Sequence, residues 1–295
     1  MSRFQTSWEI AKRSWAVLKS DKTLAWFPVL SLLGSLAVVG VFGGLVWATG
    51  IDTQNGQRSM GAIGWVFVVC AYVALAIVQT YFLGALVAGA DERLRGGTSS
   101  VSQGLRVANA RLHRLLPWAL VTATVTMVLQ AIEERFGFVG RLVASLVGLA
   151  WNLVTFLTVP ILIIEDLGVG AALTRSKDLF KKTWGENVIG QAGLGIVGFV
   201  AALPAVFLFV IGAGLGTAGL VVFGAIGVVW LIVSTTVVAA LSGIYRTALY
   251  HFAASGQVPP EFADIDFQSV FRPRGDNGGN NRPGFGGGFG GFSRN

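Results

Sequence analysis

Stretches of chain without a single charged side chain constrain this sequence more than any other feature. They cover 24–48, 62–90, 115–132, 142–164, 188–211 and 220–245, and none contains Asp, Glu, Lys or Arg. An apolar run of roughly 18 residues or more reads as a membrane-crossing helix. Backbone amides in lipid find no water, so only a helix or a closed barrel can span. Barrel strands need only about ten residues, and these runs are far longer. Composition agrees: 53% of the 295 residues are hydrophobic and 13% charged, against about a quarter charged in a soluble domain. The expected fold is therefore all-α, a polytopic bundle of six transmembrane helices. The run at 115–132 is the shortest, and Thr122, Thr124 and Thr126 within it can bond back to helix carbonyls.

Orientation follows from the basic residues. All of the 22 lysines and arginines except Arg58, Arg135 and Arg141 fall in the N-terminal segment, the connections after the second and fourth runs, and the C-terminal part. The positive-inside rule then places both termini in the cytoplasm of a multi-pass cell-membrane protein. The same rule explains the net charge of +7, so a nucleic-acid partner is not expected. The first run is longer than a signal-peptide core and is expected to stay in the mature protein. Cys70 is the single cysteine and lies inside an apolar run, where it reads as a small hydrophobe.

Three cytoplasmic segments can form amphipathic helices lying in the membrane interface. Phe4, Trp8, Ala11, Trp15 and Leu18 make one stripe, and Val101, Leu105, Ala108, Leu112 and Leu115 a second with the same spacing. Val169, Leu173, Ser176, Phe180 and Trp184 follow nearly the same spacing. Basic residues occupy the other faces, which suits anionic headgroups. The candidate headgroup contacts are Lys12, Arg13, Arg111, Arg114, Arg175, Lys177, Lys181 and Lys182. Interfacial helix plus hairpin, over 1–90, 91–164 and 165–251, describes three repeats. Arg13-Ser14 and Arg175-Ser176 match in that frame. The topology alone would place basic amphipathic segments at the same points, so both explanations stand at this level.

Within the runs, Gly40 and Gly44, the series Gly140, Ala144, Gly148, and the pair Gly198, Ala202 are small-residue faces suited to close helix packing. Pro204 is expected to kink the fifth run, and Pro160 sits near the end of the fourth. Gln79, Gln130, Asn152, Thr155, Gln191, Ser234, Thr235 and Thr236 are polar; they read first as bonds between helices and second as a substrate path. No metal motif, nucleophile elbow or phosphate-binding loop occurs, so no catalytic, metal or cofactor residue is assigned. Ser242 and His251 lie about 13 Å apart along one helix, too far for a nucleophile and base. The pairs Asp91-Glu92, Glu133-Glu134 and Glu165-Asp166 flank the runs and read as solvated helix-end charge.

The membrane domain is expected over 1–255, a polar extension over 256–273, and a glycine-rich disordered tail over 274–295. FQTSWEIAKRSWAVLKSDKTLAWFP, VPILIIEDLGVGAALTRSKDLFKKTWGENVIG and YRTALYHFAASGQVPPEF together resemble a family of uncharacterised prokaryotic multi-pass membrane proteins. The amphipathic helix with Arg-Ser and Trp-Gly before a run is more distantly similar to the membrane region of some glycerophosphodiester phosphodiesterases, whose catalytic barrel has no counterpart here. The resemblance implies architecture and no active-site residues. The expected role is a non-enzymatic organiser of anionic lipids or of a membrane complex, with a membrane-protein partner or a homo-oligomer. The alternative is a transporter or channel for a neutral or lipidic substrate.

Overall fold

The uncharged runs form helices, and most extend further than the runs themselves. The computed structural model describes the backbone of residues 3–49, 51–54, 57–182 and 184–256, and the side chains of 12–49, 61–181 and 195–256. Helix α1 (Arg3–Ser20) leads through a 3-10 turn (Lys22–Ala25) into α2 (Trp26–Ala48). An antiparallel hairpin, β1 (Ile51–Gln54) with β2 (Gln57–Met60), pairs Ile51 with Met60 and connects to α3 (Ala62–Leu94). Then follow α4 (Val101–Ala110), α5 (Leu112–Thr155), α6 (Thr158–Ile164), α7 (Val169–Lys182), α8 (Trp184–Gly214) and α9 (Gly216–Ser255). The extension beyond 256 and the glycine tail lie outside the described residues.

Among the described residues, five helical segments are long and apolar enough to cross a membrane: Lys22–Ala48, Ala62–Leu94, Leu112–Ile164, Gly195–Gly214 and Gly216–Ser255. The third holds both runs expected at 115–132 and 142–164. It is not straight, because Gly137 adopts φ 57 and ψ −129 and the chain folds back there. Trp118 and Trp151 stack with ring centroids 6.0 Å apart; on one straight helix they would be about 50 Å apart. A reversal at a single glycine replaces the expected connection over 133–141, and Arg141 Nε closes it on Glu133 Oε1 at 3.2 Å. Thr122, Thr124 and Thr126 donate to the carbonyls of Trp118, Leu120 and Thr122, as their place in an apolar helix requires.

The prolines behave differently from each other. The return limb of α5 stops at Thr155 and resumes as α6. Pro160 accounts for the break: it offers no N–H to the Phe156 carbonyl, and its ring crowds that oxygen. In contrast, α8 continues as one helix through Pro204.

Helices α1, α4 and α7 gather at one end of the bundle, hereafter the basic end. The expected faces hold for α4 and α7, whose buried residues include Ala108 and Ser176. In α1 the face is rotated. Ser14, Val17 and Leu18 are buried, while Trp15 remains 40% exposed with Lys19 Nζ 5.6 Å from its ring centroid. Helix α1 packs against α8 and α9, with the small Ser14 and Val17 buried and the bulky indole turned outward. Each of these three helices thus sets a small residue inward.

The tight core lies at the same end. It joins Leu24 and Phe27 of the first crossing, Ala85–Ala90 of α3, Phe156–Ile163, Leu179, and Ala240–Tyr250 of α9. A Cβ on Gly104 would lie 2.5 Å from Phe27 Cζ and 2.8 Å from the Ala85 carbonyl oxygen, so α4 docks on bare backbone. Away from this end the helices present Leu36, Val39, Val66, Phe138, Leu146, Phe207 and Val229 outward, each at least half exposed. So wide an apolar belt is stable only against a non-aqueous surround. Gly140 and Gly148 pack limb against limb in α5, whereas Gly40 and Gly44 face open space.

Candidate ligand cavity

Three carboxylates at the basic end, Asp91, Glu165 and Asp166, are partnered, not merely solvated as their flanking positions suggest. His251 Nε2 donates to Asp91 Oδ1 at 2.6 Å, and Arg95 Nε reaches the same oxygen at 3.1 Å. Glu165 Oε1 accepts from the Tyr250 hydroxyl at 2.9 Å and from Arg175 Nε at 3.3 Å. Asp166, at φ 55, receives Arg111, and also Arg114 Nε at 3.3 Å. Aspartate tolerates that left-handed backbone better than most residues. These contacts bind the ends of α3, α5, α7 and α9 into one polar layer.

Three of the candidate headgroup contacts, Arg111, Arg114 and Arg175, are therefore engaged in ion pairs within the protein. Lys12, Lys177 and Lys181 are exposed, Arg13 is half-buried, and the side chain of Lys182 lies outside the described residues. The structure brings Arg111 and Arg114 together on Asp166 and does not collect the set into one site.

Beneath this layer Gln79, Asn152 and Thr155, polar residues of the runs whose second reading was a substrate path, line one cavity together with Arg246, which was not among them. This open cavity of about 370 Å³ lies among α3, both limbs of α5, and α9, with Thr80, Trp118, Thr122, Asn152 and Arg246 in its wall. Gln79 also lines it, and lines two adjoining cavities of about 310 and 400 Å³. One of these extends toward Tyr72 and Thr126. The other opens beside Ser31, Ser35, Thr235 and Thr236. Gln79, an exposed side chain, is thus the residue shared by all three cavities, which together make an open track along the bundle.

The track offers unused hydrogen-bonding capacity. Thr122 and Thr155 donate to their own helices at 2.6 and 2.7 Å and keep acceptor lone pairs. The side-chain amides of Gln79 and Asn152 have no hydrogen-bond partner among the described residues. Arg246 lies with its guanidinium carbon 4.5 Å from the Phe156 ring centroid, and its buried Nε has no hydrogen-bond partner. Its place at the end of the run over 220–245 suggested a solvent-facing charge. The signal that it points inward was the continuation of the pattern: Thr247, Ala248, Leu249 and Tyr250 beyond it are all buried.

Residues 62–259 match the model for a Family of unknown function (DUF6159). The chain belongs to that family. The DUF6159 match begins at α3 and contains every residue named in the wall of the Arg246 cavity, while α1 and α2 precede it. No curated protein and no solved structure matches the chain, so the likeness to the membrane region of glycerophosphodiester phosphodiesterases gains no support. Among the described residues no group of three or more His, Cys, Asp or Glu is placed to hold a metal ion.

Proposed function

We propose that this DUF6159 protein is a six-crossing cell-membrane protein with cytoplasmic termini that binds or moves a lipidic, polar-headed molecule through the Gln79 track. The six-crossing reading rests on the reversal at Gly137. If Leu112–Ile164 crossed once, Arg111 and Asp166 would stand on opposite faces of the membrane, yet they are paired. The orientation rests on the basic residues gathered at that end. Interfacial helix plus hairpin repeats three times in this scheme, each helix turning a small residue inward. The observation that carries the function is that three open cavities share Gln79 in a bundle whose outer surface is apolar, one of them with a wall of amides, threonines and a guanidinium. The Arg246 cavity wall holds amides, threonines and a guanidinium with no paired nucleophile and base, which favours binding over chemical conversion.

The test is to isolate the full chain from its native membranes in mild detergent and quantify retained lipids by mass spectrometry. Gln79→Phe, at the shared residue, serves as comparison. The expected result is one lipid class enriched in the natural protein and depleted in the variant. Equal retention by both would overturn the reading. A second reading, an organiser of anionic lipids or of a complex, is favoured by the exposure of Lys12, Lys177 and Lys181 at the basic end.

A further inference from the structure

Arginine at the cytoplasmic end of a membrane helix normally extends to the interface, where phosphates or carboxylates neutralise it. Arg246 instead turns into the bundle. It lies one turn inside Tyr250, about 6 Å along α9. Its Nε is buried without a hydrogen-bond partner while the residue as a whole is only partly buried, and a cation so placed without a counter-charge is costly. The acidic groups of the layer above do not serve it. Asp91 is engaged by His251 and Arg95, Glu165 by Tyr250 and Arg175, and Asp166 by Arg111 and Arg114. Among the described residues no ion pair reaches Arg246. The exposed amides of Asn152 and Gln79 line the same open cavity, with no partner among the described residues.

We infer that Arg246 is an anion subsite, which takes the phosphate or carboxylate of the bound molecule, with the Asn152 and Gln79 amides completing its hydrogen bonds. This deepens the proposed function by naming an anionic head as the substrate class. The fork of N–H donors suits two oxygens of a phosphate or carboxylate. The Phe156 ring supports the guanidinium from its face. Gln79 then marks the way from the head to the neighbouring cavities, where the apolar part of an amphiphile extends.

The experiment uses the full chain in nanodiscs or detergent, with phosphatidylglycerol, phosphatidylcholine and inorganic phosphate as probes. Bound probe is counted by native mass spectrometry for the natural protein, Arg246→Gln and Arg246→Lys. The natural protein is expected to prefer phosphatidylglycerol over phosphatidylcholine about tenfold, the scale of one charge-assisted contact. Arg246→Gln should abolish that preference and Arg246→Lys retain part of it. Competition by millimolar inorganic phosphate assigns the anion to a soluble ligand, and its absence assigns it to a lipid head; both agree with the subsite. Retention of both lipids without preference by the natural protein overturns the subsite and leaves the lipidic track intact. Retention of neither lipid, with no phosphate bound, overturns both. If Arg246→Gln does not fold, the preference of the natural protein and of Arg246→Lys still decides.

Discussion

His251 Nε2 donates to Asp91 Oδ1 across 2.6 Å, joining the last turns of α9 and α3 over 160 positions of sequence. Both side chains are about one-fifth exposed, so little water competes for the bond. Together with Tyr250 on Glu165, it closes the bundle directly above the Arg246 cavity.

A hydrogen bond to a charged group contributes about 1.5–3 kcal/mol. His251→Ala and Asp91→Ala are each expected to lower stability by about that much, the latter also losing the Arg95 contact. Because they remove the same contact, the double variant should cost scarcely more than one of them. Thermal unfolding in detergent of the four proteins gives the cycle. Simple additivity would mean that the bond contributes nothing to stability.

Gly137 reverses α5 with φ 57 and ψ −129, and a Cβ there would meet nothing within 4 Å. Any penalty on substitution is therefore backbone strain, of about 1–3 kcal/mol. Gly43 also has open space around it but lies within α2 without a positive φ. There, Ala should be neutral or stabilising by up to about 1 kcal/mol. Unfolding midpoints for Gly137→Ala and Gly43→Ala should move in opposite directions or differ plainly. A shared small effect would remove the strain from the turn at Gly137.

Asp21 caps the 3-10 turn and reaches across to the start of α4. Burial raises its pKa, but hydrogen bonds from the Ser99 and Thr23 side chains and N–H groups outweigh that and hold it below the usual 3.8. Ser99 Oγ lies 2.5 Å from its Oδ2 and Ser99 N 3.2 Å. A depressed native pKa stabilises the fold above 3.8, and this support is lost as pH falls through the lower native value. Asp21→Asn should cost about 1 kcal/mol near neutrality, with the difference from the natural protein narrowing below pH 3.8. Stability measured against pH for both proteins checks the sign; a gap that widens in acid would refute it.

The bundle was largely legible because lipid allows the backbone few options. Uncharged runs had to be helices, and the threonines of α5 bond where a lone apolar helix requires. Other features depend on neighbours that sequence spacing does not display. In α1 it is Ser14 and Val17 that are buried and Trp15 that is exposed, a choice that spacing alone does not make. Glu165 and Asp166 were visible as charges, but their partners are 10 to 85 positions away. Arg246 was counted by its position at the end of an apolar run, whereas it lies against the Phe156 ring, which comes from the break between α5 and α6.

The exposed lysines allow the two functional readings to be separated. Lys12, Lys177 and Lys181 have no role in the polar layer described here, and each basic residue near an anionic surface contributes about 1 kcal/mol. Changing all three to Gln should weaken the association of phosphatidylglycerol with the protein surface and reduce its dependence on salt, since such contacts are screened over about 10 Å at 0.1 M. Lipid held at the Arg246 cavity is shielded from bulk ions and should survive both the triple substitution and added salt. Mass spectrometry of lipids retained after graded salt washes resolves the two populations. A salt-resistant fraction that persists in the triple variant favours the track. If all retained lipid is salt-labile and disappears with the three lysines, the basic surface carries the lipid interaction and the organiser reading takes precedence.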